Sequence, residues 1–143
     1  MILRFHIPGA PQGKGRARST RSGKHYTPAR TAKYETLIAL AGQTAMEQAG
    51  LALELMRGPV RFELDVICPI PASWSKKKQA QAAANTIHPT TKPDADNVMK
   101  ACCDGLNSVV WVDDVQVVDA TITKRYGPVP GVSVTVEEIL CPQ

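Results

Sequence analysis

What this chain lacks narrows it first. No apolar run reaches the roughly 18 residues of a membrane span, and the start, Met1-Ile2-Leu3-Arg4-Phe5-His6-Ile7-Pro8, has none of the parts of a secretory leader. A cytoplasmic protein with no membrane attachment is the expectation. Cysteine is scarce, four in 143 residues (Cys68, Cys102, Cys103 and Cys141), and no C-x-x-C pair occurs. Cys102 and Cys103 are adjacent, which on a helix turns them about 100° apart and makes a poor chelate. Reduced thiols are therefore expected, rather than a zinc site or a disulfide framework. Gln12-Gly13-Lys14-Gly15-Arg16-Ala17-Arg18 contains a Gly-x-Gly, but without the third glycine, the preceding long strand or the βαβ context of a dinucleotide fingerprint, and it is no Walker loop. No internal repeat or low-complexity tract is present.

Acid is missing altogether from the first 33 residues, which carry Arg4, Lys14, Arg16, Arg18, Arg21, Lys24, Arg30 and Lys33. A second basic cluster, Lys76-Lys77-Lys78, follows Ser73-Trp74-Ser75. Residues 94–119 reverse the balance, with Asp94, Asp96, Asp104, Asp113, Asp114 and Asp119 against Lys100 alone. The net charge of +4 says little by itself, because the distribution carries the information. Cations kept apart from a carboxylate cluster are what a metal-dependent nuclease needs, since carboxylates alone repel a phosphate backbone. The other reading is a solvated basic face.

A composition of 43% hydrophobic and 21% charged residues fits a soluble globular chain, and 143 residues fit one domain. Periodicity predicts a strand over residues 3–7 and a mobile basic loop at about 9–28. A long amphipathic helix should run from 29 to about 55, or break near Gly50, and a strand should cover 60–68. Ser75 should cap a helix over 76–85, and a further helix should cover about 96–106. Strands should follow over 109–124 and 132–136, joined as a hairpin. The expected fold is α+β, a mixed or antiparallel sheet with helices packed on one face of a single small domain over residues 1–143.

Asp94 and Asp96 precede a helix and Asp113-Asp114 open the following segment, so chain folding is expected to bring them together. Two carboxylates about 4 Å apart repel by roughly 4 kcal/mol at an effective dielectric near 20, which a divalent cation relieves. Oxygen donors without histidine or thiolate suit Mg²⁺, with Mn²⁺ able to substitute. Asp96 and Lys100, four apart, share a helix face, so Lys100 is aimed either at a bound phosphate or into an ordinary ion pair with Asp96. If the following strand is regular, Asp114 and Gln116 face the site and Asp113 turns away, unless a bulge inverts the parity. Asn97 would cap the helix or orient a carboxylate. Trp74 would anchor the core or stack on DNA. His6, His25 and His88 read as structural or phosphate-contacting.

Three spaced blocks, Lys92-Pro93-Asp94-Ala95-Asp96-Asn97-Val98-Met99-Lys100, Asp104-Gly105-Leu106-Asn107 and Asp113-Asp114-Val115-Gln116-Val117, resemble the RusA-type Holliday junction resolvases, in the form carried by prophages. The likeness extends upstream through Trp74-Ser75-Lys76-Lys77-Lys78 and His88 to Pro8-Gly9-Ala10-Pro11 and Lys14-Gly15-Arg16-Ala17-Arg18. It implies a homodimeric, Mg²⁺-dependent endonuclease that resolves four-way DNA junctions by paired symmetric nicks, without an organic cofactor. It implies Asp94, Asp96 and Asp114 as metal-holding catalytic carboxylates and Lys100 as the catalytic cation. Asn97, Asp113 and Gln116 would support them, and Lys14, Arg16, Arg18, Arg21, Lys24, Lys76, Lys77 and Lys78 would contact DNA. Ser108 stands where many relatives have glycine, which bears on a turn rather than a ligand. Other branched DNA, or a non-catalytic DNA-binding role, are the alternatives.

Overall fold

Alternation of apolar and polar side chains builds the sheet of this protein. The computed structural model describes residues 1–15, 18–26 and 28–140, with the backbone alone at 18, 19 and 26. In chain order the elements are β1 (Ile2–Pro8), β2 (Arg18–Ser19), β3 (His25–Tyr26), α1 (Ala29–Gln48), β4 (Val60–Pro69), α2 (Lys76–Ala83), α3 (Ala95–Leu106), one 3₁₀ turn (Asp114–Gln116), β5 (Val117–Gly127) and β6 (Gly131–Glu138). β1, β6, β4 and β5 form one mixed sheet in that spatial order, antiparallel except for the parallel pair β4 and β5. The short β2 and β3 pair with each other inside the basic segment.

Val60, Phe62, Leu64, Val66 and Cys68 of β4 and Val132, Val134 and Val136 of β6 all point into the core. The opposite sheet face is polar and held by cross-strand ion pairs, Arg61 to Asp119 (3.0 Å) and Glu137 (3.3 Å), and Arg125 to Asp65 (3.0 Å). Helices therefore cover one face and water the other, as the alternation predicts. The last two strands are not a hairpin, because β4 lies between them. With five buried side chains β4 gains most from a central place, while β5, whose Val118 is 64% exposed, takes the edge.

The first helix stops at Gln48, at the break expected near Gly50 and short of residue 55. Gly50, at φ +74°, reverses the chain, and the Leu51 N–H donates to the Met46 carbonyl (2.8 Å), a glycine-dependent helix stop. Ser75 caps α2 as expected, accepting from the Lys78 N–H at 3.2 Å. α3 crosses α1 at very close range. A Cβ on Gly105 would lie 2.7 Å from Ile38 Cγ2 and 3.1 Å from the Glu35 carbonyl, and one on Gly42 would lie 2.6 Å from Leu106 Cδ2.

Beyond α3 the expected long strand over 109–124 begins only at Val117, because the buried Trp111 ties down a turn first. Its indole N–H donates to Asn107 Oδ1 (2.7 Å), and its ring meets Phe62 edge-on at 5.2 Å. Ser108, inside that turn, has φ +63°, a left-handed conformation that costs a non-glycine residue about 1 kcal/mol. Ser108→Gly relieves that strain but gives the unfolded chain more freedom, so stability should rise by no more than about 0.5 kcal/mol, read as a slightly higher urea midpoint at unchanged slope.

Candidate active site

Asp94 and Asp96 stand at the N-terminus of α3, where the helix dipole favours negative charge. Asp94 occupies the N-cap position, yet its side chain caps no backbone N–H. It instead accepts a long hydrogen bond from Asn97 Nδ2 (3.4 Å). Of the two roles open to Asn97, the structure shows carboxylate orientation and not capping. Both carboxylates are exposed, so their remaining oxygen lone pairs face solvent. Lys100, one turn beyond Asp96, is also exposed. It makes no ion pair with Asp96 or any other described carboxylate, which removes the surface-pair reading.

Asp114 is elsewhere. Its neighbours are Asp113, Asp104 and Asn107, at the C-terminal end of α3. Asp104 follows Asp96 by eight residues, about 12 Å along the helix axis at 1.5 Å per residue. The expectation that folding joins Asp114 to Asp94 and Asp96 does not hold within one chain. Among the described residues no three His, Cys, Asp or Glu side chains are grouped so as to hold a metal ion. The pair Asp94 and Asp96 nevertheless suits Mg²⁺, which takes one or two carboxylates and fills its octahedron with water and substrate phosphate.

Strand parity failed at Asp113 to Gln116 because this segment is a helical turn. Asp113 and Gln116 form a reciprocal capping box. The Gln116 amide also donates to the carbonyls of Met56 (2.9 Å) and Gly58 (3.0 Å), and its oxygen accepts from the Val112 and Asp113 N–H groups (both 3.0 Å). Gln116 and Asp113 are thus a clamp that holds the turn, not groups facing a substrate. Asp114 is left pointing at Asp104. Partial burial and the charges of Asp113 and Asp104 raise its pKa above the usual carboxylate value, against a smaller lowering by Asn107.

A carboxylate with a raised folded-state pKa costs stability when ionised. The cost is full above the folded pKa and disappears as pH falls below the unfolded value of about 3.8. Asp114→Asn should therefore be at least as stable as the parent at pH 7 without divalent ions. The gain should be about 0.5 kcal/mol, the scale of a screened like-charge pair, read from urea unfolding.

Lys14 departs furthest from expectation. Its ammonium bonds to Glu35 of α1 and to Asp104 of α3 (2.9 Å), and its backbone N–H donates to the Asn97 carbonyl (3.0 Å). A lysine held by two carboxylates is a structural tie, not a phosphate contact. Its neighbours show why glycine flanks it. A Cβ on Gly13 would meet Asn97 Cβ at 2.9 Å, and one on Gly15 would meet Thr31 Oγ1 at 2.5 Å. The Gly15 N–H donates to that hydroxyl at 3.0 Å. Residues 12–15 are therefore a close-packed strap across α1 and α3, and the expected mobile loop is wrong for this part.

Burial alone would lower the Lys14 pKa, but the bonds to Glu35 and Asp104 outweigh it and the net shift is upward. The stabilisation is complete below the unfolded value of about 10.5 and is lost as pH rises through the higher folded value. Urea midpoints should fall more steeply above pH 10.5 in the parent than in Lys14→Met.

The remaining cations differ. Lys76 and Lys77 are exposed and make no ion pair among the described residues, and Lys78 lies 4.0 Å over the Trp74 ring. That ring packs edge-on against Tyr126 (5.2 Å), so Trp74 is an anchor carrying a cation on its face. Arg21 and Lys24 lie exposed in the β2–β3 connection. Arg16 lies outside the described residues, and so does the side chain of Arg18. His6 Nδ1 meets Ser133 Oγ at 3.3 Å on the open sheet face. Cys68, Cys102 and Cys103 are free thiols, and no described helix is long and apolar enough to cross a membrane. Glu35, Asp104 and Asn107 were not singled out by sequence, although Asp104 and Asn107 stand in the second motif block.

An α+β domain that presents paired aspartates at a helix N-terminus, beside a lysine with no ion pair among the described residues, is compatible with a nuclease. Residues 8–137 match the family described as Endodeoxyribonuclease RusA, and the chain belongs to that family, whose members act on Holliday junctions. It is also 35% identical over 142 residues to the uncharacterized protein YqaN of Bacillus subtilis (strain 168), across 96% of both chains.

Proposed function

We propose that this protein is a Mg²⁺-dependent endonuclease that resolves four-way DNA junctions by two symmetric nicks, acting as a homodimer. The observation that carries the reading is the exposed Asp94 and Asp96 pair with an unengaged Lys100 one turn away. A bound ion would supply an activated water and charge neutralisation at the phosphate. Asp94 and Asp96 would hold it, and Asn97 keeps the Asp94 carboxylate turned outward. Lys100 is placed to bind a phosphate oxygen and to balance the extra charge of the transition state.

The dimer follows from two physical needs. A two-fold junction cut on opposing strands calls for two identical sites, which a C₂ dimer presents. The family resemblance implies Asp114 as a third carboxylate; its neighbours are Asp113, Asp104 and Asn107, near the other end of α3, so in this reading a second copy brings its Asp114 to the site. The edge strand β5 supports this reading. Val112, Val115 and Val118, exposed by 42%, 79% and 64%, flank Asp114 beside an unpaired strand edge.

Cleavage of a synthetic mobile four-way junction in Mg²⁺, with cuts mapped on all four strands, tests the reading. Paired cuts at symmetric positions are expected. Equal or faster cutting of flaps and forks would point to a general branch nuclease, and binding without cutting at any metal concentration to an accessory protein.

A further inference from the structure

A cleft of about 690 Å³ opens directly beside Asp94 and Asn97, within the range of about 300–1,000 Å³ typical of small-ligand pockets. Its walls are unusual in composition. Pro11, Pro28, Pro69, Pro71, Pro89 and Pro93 line it, brought together from the strap, the start of α1, the end of β4 and the connector before α3. Proline rings offer no N–H and little freedom to move, so these parts of the wall are rigid and apolar, and any reading of a base's hydrogen-bonding edge falls to the polar groups among them. At the base lie Cys68 and Tyr126, partners in the β4–β5 register and 5% and 8% exposed. Tyr126 is fixed in turn by Trp74.

Polar groups also line it, Thr31 buried and others exposed. Arg30 donates through Nε to Gln12 Oε1 (3.1 Å), which leaves its two terminal amino groups and the Gln12 amide nitrogen without partners among the described residues. Lys92 is exposed and unpaired. Asn97 gives its amide nitrogen to Asp94, so its oxygen remains available as an acceptor. Rigid proline walls interspersed with polar groups, the exposed cations Arg30 and Lys92 and the candidate metal-binding carboxylate of Asp94 together describe a receptor for a flat heteroaromatic group attached to a phosphate.

We propose that this cleft takes up one unstacked nucleobase of the strand being cut, next to the scissile phosphate. The proposal rests on the nuclease reading above and extends it, because a base held here makes the enzyme sense base identity as well as branching. Branched DNA is a suitable donor. Pulling a base out of the stack is least costly where pairing is already interrupted, as at a junction centre. Lys92 and Arg30 then meet the phosphates on either side, with Asp94 beside one of them.

The test uses full-length Asp96→Asn protein to hold the junction uncut in Mg²⁺, with 2-aminopurine placed singly at each position flanking the mapped cut. Binding is expected to brighten one flanking position at least threefold. In Asp96→Asn combined with Cys68→Leu, which fills the base of the cleft, that rise should disappear while junction affinity stays within threefold. Should Cys68→Leu lower the urea midpoint, Arg30→Ala with Lys92→Ala, both at exposed positions, should cut the rise by half or more. In otherwise unmodified enzyme, the cleft variants should flatten the spread of cutting rates across junctions that differ only at that base. No brightening at any position, or brightening that persists with the cleft filled or its rim removed, would overturn the proposal while leaving the nuclease reading standing. A parent protein that neither binds nor cuts the junction would sink both.

Discussion

Asp96→Asn should lower junction cleavage by at least a thousandfold while leaving junction affinity within threefold. The charge removed is one of only two carboxylates at the N-terminus of α3, and an ion held by one carboxylate and an amide loses much of its attraction to the site. Metal-assisted hydrolysis depends on that ion for both the nucleophile and the neutralised phosphate, so the loss falls on the chemical step. Binding is expected to survive because it draws on cations elsewhere, Lys76, Lys77, Arg21 and Lys24 among them, all exposed. The side chain of Asp96 is exposed and makes no hydrogen bond recorded in the structure, so the substitution should shift the urea midpoint by no more than about 0.5 kcal/mol. Single-turnover cleavage together with a gel-shift titration checks both halves. Undiminished cutting, or equal loss of binding and cutting, would remove Asp96 from the ion.

The contrast between Asp96 and Lys14 shows how much of the site was legible in the sequence. The D-A-D-N-x-x-K block could be read directly, because a helix puts residues four apart on one face whatever the surrounding fold. Lys14 could not. In the sequence it stands in an acid-free basic stretch, and its two partners, Glu35 and Asp104, are 21 and 90 residues away. Only the α1–α3 crossing, allowed by Gly42 and Gly105, brings them beneath the strap. Gly13 and Gly15 looked like signs of flexibility, whereas they mark close backbone approach.

The sheet shows the same division between local and global. Alternation located β1, β4 and β6 to within two residues, and one face was correctly expected to carry the helices. What local pattern could not supply was that β4 would sit between β5 and β6, since sequence neighbours usually pair. Asp114 was misplaced for a related reason. A β-branched run around it reads as strand, but the Asp113–Gln116 capping box turns the chain through one helical turn first. Tertiary hydrogen bonds from Gln116 to Met56 and Gly58 hold that turn, and nothing in the local sequence announces them.

The edge around Asp114 leads to the second large effect. Val115→Lys with Val118→Lys should convert a dimer to a monomer and reduce junction cleavage at least a hundredfold. Edge strands expose unpaired N–H and C=O groups, and proteins commonly protect them with charge or proline. The β1 edge follows that rule, with Arg4, His6 and Pro8 along its exposed side. The start of β5 departs from it, since Val118 in the strand and Val115 in the turn just before it are exposed. An exposed apolar patch at the start of an unpaired strand fits a partner, and under the proposed function that partner is a second copy. Lysines placed on both copies would face one another across the two-fold axis, so association fails by repulsion and by loss of apolar burial. Because Val115 and Val118 are 79% and 64% exposed, the fold itself should lose no more than about 0.5 kcal/mol. Light scattering gives the mass and urea unfolding the stability. If the proposed dimer supplies Asp114 in trans, the junction-cleavage assay should then show paired cuts lost together, with no accumulation of singly nicked junction. A double variant that becomes monomeric yet still nicks one strand at the parental rate would show that Asp94 and Asp96 suffice without it.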